Sequence, residues 1–248
     1  MSTFGAQACA ALGARAVTFD RVDGQELTDG KSLAAALAGC DVVVHLAALH
    51  PLIAPPDAND ETYRAANVVP FAALLDAARA QQVRRVVLAS STSVWRDSPP
   101  GTAARFLDET SEADGDDGYA RSKRECERLL RASGIGGVTL RLARFARADD
   151  PADEVRKLYR AVDPRDIATA ILRAIDRAPD GAQYAISAPT PFRPEDAPLL
   201  DRDPRAAIRL RTGRKPEWSP GRIGSVVVSA RAQRELGWTC AHPSALLG

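Results

Sequence analysis

Hydrophobic positions along this chain alternate between two rhythms. Asp41-Val42-Val43-Val44-His45-Leu46-Ala47-Ala48 and Arg85-Val86-Val87-Leu88-Ala89 are near-continuous apolar runs of the kind buried on both faces of a parallel sheet. Ala16-Val17-Thr18-Phe19, ending at Asp20, and Val138-Thr139-Leu140-Arg141-Leu142 are read as further strands. Between these runs the pattern changes to helical spacing, which predicts helices over Ser32 to Ala38, Asn67 to Gln81, Tyr119 to Ala132 and Pro164 to Arg177. Ser98 to Asp117, rich in Pro, Gly, Asp and Ser, is read as a loop. Strand–helix alternation predicts an α/β fold with a doubly wound sheet. Beyond Gly181 prolines at 189, 191, 194, 198, 204, 216 and 220 break the rhythm. This predicts a main unit over 1–180 and a small C-terminal lobe over 181–248, lying on the strand ends where ligands of open α/β sheets bind.

Composition narrows the class. The chain has 248 residues, 45% hydrophobic and 26% charged, within the range of soluble globular proteins. A formal net charge of +1 gives no general attraction to nucleic acid or an anionic membrane, and neither partner is expected. No apolar run approaches the roughly 18 residues of a membrane span, and the first residues lack the basic start of a signal peptide, so the cytoplasm is the expected location. Cys9, Cys40, Cys126 and Cys240 form no CxxC pair, and His45, His50 and His242 lack ligand spacing; no metal site is expected. His45, inside an apolar run, is read as a core residue.

The candidate chemistry centres on Tyr119-Ala120-Arg121-Ser122-Lys123. Four residues apart on a helix, the phenol and the ammonium stand on one face. A free phenol titrates near about 10. A neighbouring ammonium favours the phenolate and is expected to bring Tyr119 toward the working range, which makes an acid/base centre for a substrate hydroxyl.

Several segments in order resemble the extended short-chain dehydrogenase/reductases, the NAD-dependent epimerase/dehydratase family. These are Glu26-Leu27-Thr28-Asp29, DVVVHLAA from Asp41 to Ala48, and Asn67-Val68 at a helix start. LASSTSVW from Leu88 to Trp95 follows, then Asp108-Glu109-Thr110, YARSK, Leu140-Arg141, Val162 to Asp166, and RAQRELGW from Arg231 to Trp238. The resemblance implies a Rossmann-like sheet and a catalytic group of Ser91, Tyr119 and Lys123, with Ser90 or Thr92 as alternatives to Ser91. It implies a bound NAD, with NADP as the alternative. Asp20, Glu26, Leu27, Leu46, Ala47, Ala48, Tyr119 and Lys123 would contact the cofactor, and His50, Ser91, Thr92 and Arg144 the substrate. Plain core packing accounts equally well for Leu27 and Ala47. Asp20 would accept from the ribose 2′-hydroxyl and repel a 2′-phosphate, whereas Arg21 would welcome one. A homodimer through the helices at Asn67 to Gln81 and Tyr119 to Ala132 is also implied, with Leu129, Leu130 and Ala132 as contacts or as monomer core.

The front departs from the family pattern. The G-x-x-G-x-x-G loop and the strand before it are absent, and Met1-Ser2-Thr3-Phe4-Gly5 runs directly into the Ala-rich stretch Ala6 to Ala14. Loss of that strand would leave an apolar sheet edge. A shortened version of a longer protein, a natural variant and a gap covered by another chain are the three readings.

Among family chemistries dehydratase is disfavoured, because Thr92 and Ser93 stand where elimination would need Asp-Glu. The short interval from Arg141 to Asp163 resembles the uronate dehydrogenase branch, whose substrates are simple sugars. The expected function is therefore an NAD(P)-dependent oxidoreductase or epimerase acting on a sugar-like hydroxyl. The alternatives are a non-catalytic binding relative and a truncated inactive form. The basic run Arg205 to Lys215 is read either as an anion grip or as a solvated face.

Overall fold

Strand-forming runs Val42–His45 and Arg85–Ser91 alternate with Ala- and Leu-rich helices, so each strand can bury both faces under helical layers. The computed structural model describes residues 3–12, 16–147 and 149–248. Its elements run α1 (Thr3–Leu12), α2 (Gly30–Leu37), β1 (Val42–His45), α3 (Asp60–Tyr63), α4 (Val69–Ala80), β2 (Arg85–Ser91), β3 (Arg105–Leu107) and α5 (Gly118–Ala132). They continue with β4 (Gly136–Leu142), β5 (Arg144–Phe145), α6 (Pro151–Arg156), β6 (Ala161–Val162), α7 (Pro164–Arg177), β7 (Gln183–Ile186), α8 (Ala197–Arg202), α9 (Pro204–Thr212) and β8 (Ser225–Val227).

The main sheet is parallel, in the order β1-β2-β4-β7. At its centre β2 runs beside β4 from Arg85 opposite Gly136 to Ser91 opposite Leu142. The two-residue period of β2 sends Val86 and Leu88 to one face, against Leu33, Phe71, Leu74 and Leu130 of α2, α4 and α5. Val87 and Ala89 go to the other face, with Ala8 of α1 and Ile167, Ile171 and Ala174 of α7. A separate core of Val155, Leu158, Leu200, Ile208 and Val226 holds the remaining elements. The expected units exchange strands: β7, beyond residue 180, closes the main sheet, and β3 pairs with β8.

Four local expectations are corrected, the first being the loop read over Ser98 to Asp117, within which Arg105–Leu107 forms β3 by pairing with β8. Ala16 to Phe19 forms no strand; Phe19 packs against the α2–α4 layer instead, and Val17 is exposed. β1 is consequently an edge among the described residues, with Val42, Val43 and Val44 half-buried rather than enclosed. Asn67-Val68 does not open a helix. The helix starts at Asp60 under an Asn59–Thr62 capping box and passes through a π turn, Arg64–Val68, before α4. Met1-Ser2 and Gly13-Ala14 of the expected front lie outside the described residues; Gly5 lies within α1.

The late RAQRELGW segment is fastened to the sheet. Trp238 is buried, and its indole N–H donates to the Asp166 carbonyl (2.9 Å) and the Thr169 hydroxyl (3.2 Å) on α7. Removing that ring leaves a cavity and takes away the indole donor, while the Asp166 carbonyl keeps the Thr169 hydroxyl. Trp238→Ala is expected to cost about 3–5 kcal/mol of unfolding free energy, read by urea denaturation.

Candidate active site

Helix α5 begins where Asp117 accepts from the Ala120 amide (2.8 Å), an N-cap that fixes the phase of the helix. That phase turns Tyr119 and Lys123, both buried, toward the carboxyl end of β2. The Lys123 Nζ donates to the Ala89 carbonyl (2.8 Å) and lies 5.9 Å from the Tyr119 ring centroid. At the end of β2 the Ser91 hydroxyl oxygen accepts from the Ser93 amide (3.0 Å), and the Ser91 side chain lies near enough to the Tyr119 phenol to influence its proton. His50 meets the Tyr119 ring edge-on with centroids 5.0 Å apart, and Tyr63 does so at 6.0 Å.

The electrostatics run against one expectation. The Tyr119 phenol is pushed up to about 12, not down: burial dominates, the Ser91 side chain opposes it, and Asp117, Cys126 and Tyr63 add to it. Lys123 directs its ammonium at a β2 carbonyl rather than at the phenol. Its own pKa is lowered by burial, with Cys126 and Glu127 opposing. The His45 imidazole, enclosed beside Lys123, falls to about 3 through burial and then through the Lys123 charge. Partial burial, Lys123 and Arg144 together lower His50, so two cations and a neutral-favouring imidazole share one mouth.

Two turns are anchored around this centre. The Asn67 carboxamide, aimed inward by the π turn, accepts from the Leu49 amide (2.6 Å) and donates to the Leu49 carbonyl (3.2 Å) and the Ser122 hydroxyl (3.0 Å). It thereby ties the loop that carries Ala47, Ala48 and His50 to α5. Arg160 donates to the Thr92 hydroxyl (3.3 Å), the Thr92 carbonyl (2.5 Å) and the Trp95 carbonyl (3.0 Å), pinning the 3₁₀ turn Thr92–Val94. Arg144 stands on exposed β5, its Nε donating to fully buried Asp153 (3.1 Å), to which Arg156 also donates (2.7 Å).

Ser91, Thr92, His50, Tyr119, Lys123 and Arg144 are thus brought together at the end of the sheet. Leu46, Ala47 and Ala48 lead from β1 to that place, and Leu46 packs partly on the core. Asp20, Glu26 and Leu27 lie farther along the β1 side. Asp20 caps a 3₁₀ turn through the Val22 amide (2.9 Å), Glu26 pairs with Arg21 (3.2 Å), and Leu27 packs on the α2–α4 layer. In the basic run, Arg211 is engaged by Asp196 (2.7 Å) and Glu195 (3.2 Å). Arg160 and Glu127 carry the site without being singled out by sequence, and the sequence marks Asn67 only as a helix start. The one signal for Glu127 is its spacing, four residues after Lys123.

A sequence model of the NAD dependent epimerase/dehydratase family matches residues 5–162. No curated protein matches the chain. Among solved structures, the chain resembles a short-chain dehydrogenase/reductase superfamily protein from Agrobacterium tumefaciens with bound NAD. That match has 21% identity, a TM-score of 0.68, and covers 99% of this chain and 92% of that one. A dTDP-glucose 4,6-dehydratase double mutant from Streptomyces venezuelae, with NAD bound, gives 22%, 0.63, 89% and 74% in the same order. A UDP-Glc/GlcNAc 4-epimerase from Campylobacter jejuni gives 17%, 0.65, 90% and 79%. At these identities the likeness is one of fold.

His45 supplies a pH test. Its folded value near about 3 lies below the ordinary 6.5, so the unfolded chain binds the extra proton first as pH falls. The stability due to neutral burial is present above pH 6.5 and is lost from there down to about pH 3. Its limiting slope is about 1.4 kcal/mol per pH unit. In His45→Asn, the fall in urea-unfolding free energy between pH 6.5 and 4.5 is expected to be about 2 kcal/mol smaller than in the parent protein.

Proposed function

The chain belongs to the NAD-dependent epimerase/dehydratase family, and from that premise we propose that it is an NAD(P)-dependent oxidoreductase or epimerase acting on a hydroxyl or carbonyl of a sugar-like substrate. The observation that carries this reading is the convergence of Ser91, Tyr119 and Lys123 at the carboxyl end of β2.

The donor set fits the nicotinamide-ribose end of a dinucleotide. Lys123 spends one N–H on the Ala89 carbonyl and retains two, beside the phenol and the Ser91 hydroxyl. NAD, when bound, supplies the hydride chemistry. Leu46, Ala47 and Ala48 would line its middle, and Asp20, Glu26 and Leu27 its adenosine end. Arg21 is turned to Glu26, which supports NAD over NADP, since the residue best suited to a 2′-phosphate is already paired.

Ser91 would orient the substrate oxygen and Tyr119 would exchange its proton. With its pKa near about 12, the phenol keeps its proton at neutral pH, so the free site is set to donate. Accepting a proton requires the Lys123 charge to act on the phenolate. His50, Thr92 and Arg144 border the substrate side, and Arg144 is available to an anionic substituent because Asp153 engages only its Nε. The short stretch from β5 to β6 supports a compact sugar as substrate. The elements built on the third core, among them α6, α8, α9 and β8, would cover it. We propose the same homodimer face as the family. Leu130 is committed to the monomer core and Leu129 packs against it; Arg121 and Arg128 of α5 pair within the chain with Asp60 and Glu125, so two copies would pair by sharing these charges across the seam. Such a dimer is expected to weaken as salt is raised, measured by sedimentation at low and high ionic strength.

Tyr119→Phe is expected to lower turnover of sugar or uronate substrates with NAD by roughly 10²–10⁴-fold while the fold, by circular dichroism, is retained. Unchanged turnover would remove the assignment. Calorimetric titration is expected to show NAD binding tighter than NADP; absence of both at millimolar concentration would favour a non-catalytic relative.

A further inference from the structure

Below the proposed acid/base pair lies a buried ionic cluster that the mechanism above does not use. Glu127 follows Lys123 by four residues on α5, as Lys123 follows Tyr119, so phenol, ammonium and carboxylate form one row. The Glu127 carboxylate has 2% exposure and accepts from four side-chain donor atoms. Arg141 of β4 grips it with Nε at 3.0 Å and a terminal nitrogen at 2.8 Å. The Ser90 hydroxyl of β2 donates at 2.6 Å, and the Gln183 amide of β7 at 3.3 Å. Arg141, itself buried, stacks over the Trp95 ring at 4.8 Å. One carboxylate therefore ties α5 to three adjacent strands, and its β2 partner is the residue immediately before Ser91.

We propose that Glu127 is a positioning residue for this site: it keeps the buried Lys123 charged and holds the end of β2, with Ser91, in register against α5. The inference rests on the reading of Tyr119 and Lys123 as the acid/base pair. The charge argument follows from what surrounds Lys123. His45 faces it from β1, His50 from the following loop and the Ala89 carbonyl from β2; on its own helix stand Tyr119, Cys126 and Glu127. Both imidazoles are held neutral-favouring, and the Cys126 thiol is pushed up to about 11, chiefly by burial. Of these groups Glu127 is the carboxylate, and with Cys126 it opposes the effect of burial on Lys123. Arg141 and, at 3.9 Å, Arg131 share that carboxylate, while Glu127 stands one helical turn from Lys123 on α5. Without the carboxylate, burial would favour a neutral amine with no charge to act on a phenolate.

The test reads the lysine itself. The chain has four lysines, Lys31, Lys123, Lys157 and Lys215. Side-chain ¹³C-lysine labelling of the full, unliganded protein gives a small set of resonances, with Lys123 identified by its loss in Lys123→Met. In Glu127→Gln, confirmed folded by circular dichroism, the Lys123 titration midpoint is expected to fall by about one pH unit, a tenfold loss of proton affinity. The other three midpoints stay in place, and Glu127→Asp restores part of the shift. If Glu127→Gln does not fold, the double variant Glu127→Gln/Arg141→Gln leaves no unpaired guanidinium and is expected to shift Lys123 in the same direction. A Lys123 midpoint that does not move in a folded variant overturns the proposal. Failure of both variants to fold overturns it too, in favour of a purely architectural carboxylate. Because the readout requires neither cofactor nor turnover, it is independent of the Tyr119→Phe result, which tests the acid/base reading alone.

Discussion

Burying an ammonium requires compensation, and Lys123, with 3% of its surface exposed, sets that demand at the centre of this fold. Its proton has three sources of support. The Ala89 carbonyl accepts one N–H, Glu127 supplies negative charge, and the Tyr119 ring offers a weak π-face at 5.9 Å. Each fixes geometry as well as charge. The Ala89 bond sets how deeply α5 rides along β2. The Glu127 cluster sets its rotation, because Arg141, Ser90 and Gln183 reach that carboxylate from three parallel strands whose spacing is fixed. Phenol and serine then meet because the helix has little freedom left to separate them.

The two turns that face the centre are held by the same economy of buried polar groups. Asn67 satisfies both backbone groups of Leu49 and reaches Ser122 on α5, so the loop after β1 is referenced to that helix rather than to solvent. A regular helix at residues 64–68 would rotate Asn67 by one position; the π turn is the local distortion that permits this contact. Arg160 does the equivalent on the other side: one terminal nitrogen donates to the Thr92 and Trp95 carbonyls that follow β2, and the Nε to the Thr92 hydroxyl. Its charge is answered by Asp97 at 2.6 Å.

Periodicity made the layers legible: β2, β4, α5 and α7 follow from where apolar residues repeat, and Tyr119 with Lys123 from a four-residue spacing. Properties that depend on three-dimensional neighbours were not legible. Ala16 to Phe19 has the composition of a strand, but backbone pairing and not composition makes a strand, and no partner edge meets it among the described residues. The direction of the Tyr119 shift was misjudged for a related reason. Spacing places the ammonium on the same face as the phenol, yet it reveals neither the burial of the hydroxyl nor the carbonyl that engages the Nζ. Spacing places Asn67 at a helix start, but its inward contacts depend on the π turn Arg64–Val68, which departs from the regular period.

Helical geometry explains why one row of side chains can serve both the mouth of the sheet and its interior. At 3.6 residues per turn, each four-residue step advances by one turn and drifts about 40° around the axis. Tyr119, at the start, meets Ser91, His50 and Tyr63 at the open end. Two steps later Glu127 has turned under the sheet, to Ser90, Arg141 and Gln183. Lys123 lies between and is reached by both groups. A change in the depth or rotation of α5 would therefore alter proton affinity at Lys123 and hydrogen bonding at Tyr119 together, since the same rigid helix carries both. The phenol near about 12 is then the resting state of a coupled row. A ligand that drew the Lys123 ammonium off the Ala89 carbonyl and toward the phenol would lower the phenol's pKa without moving the backbone.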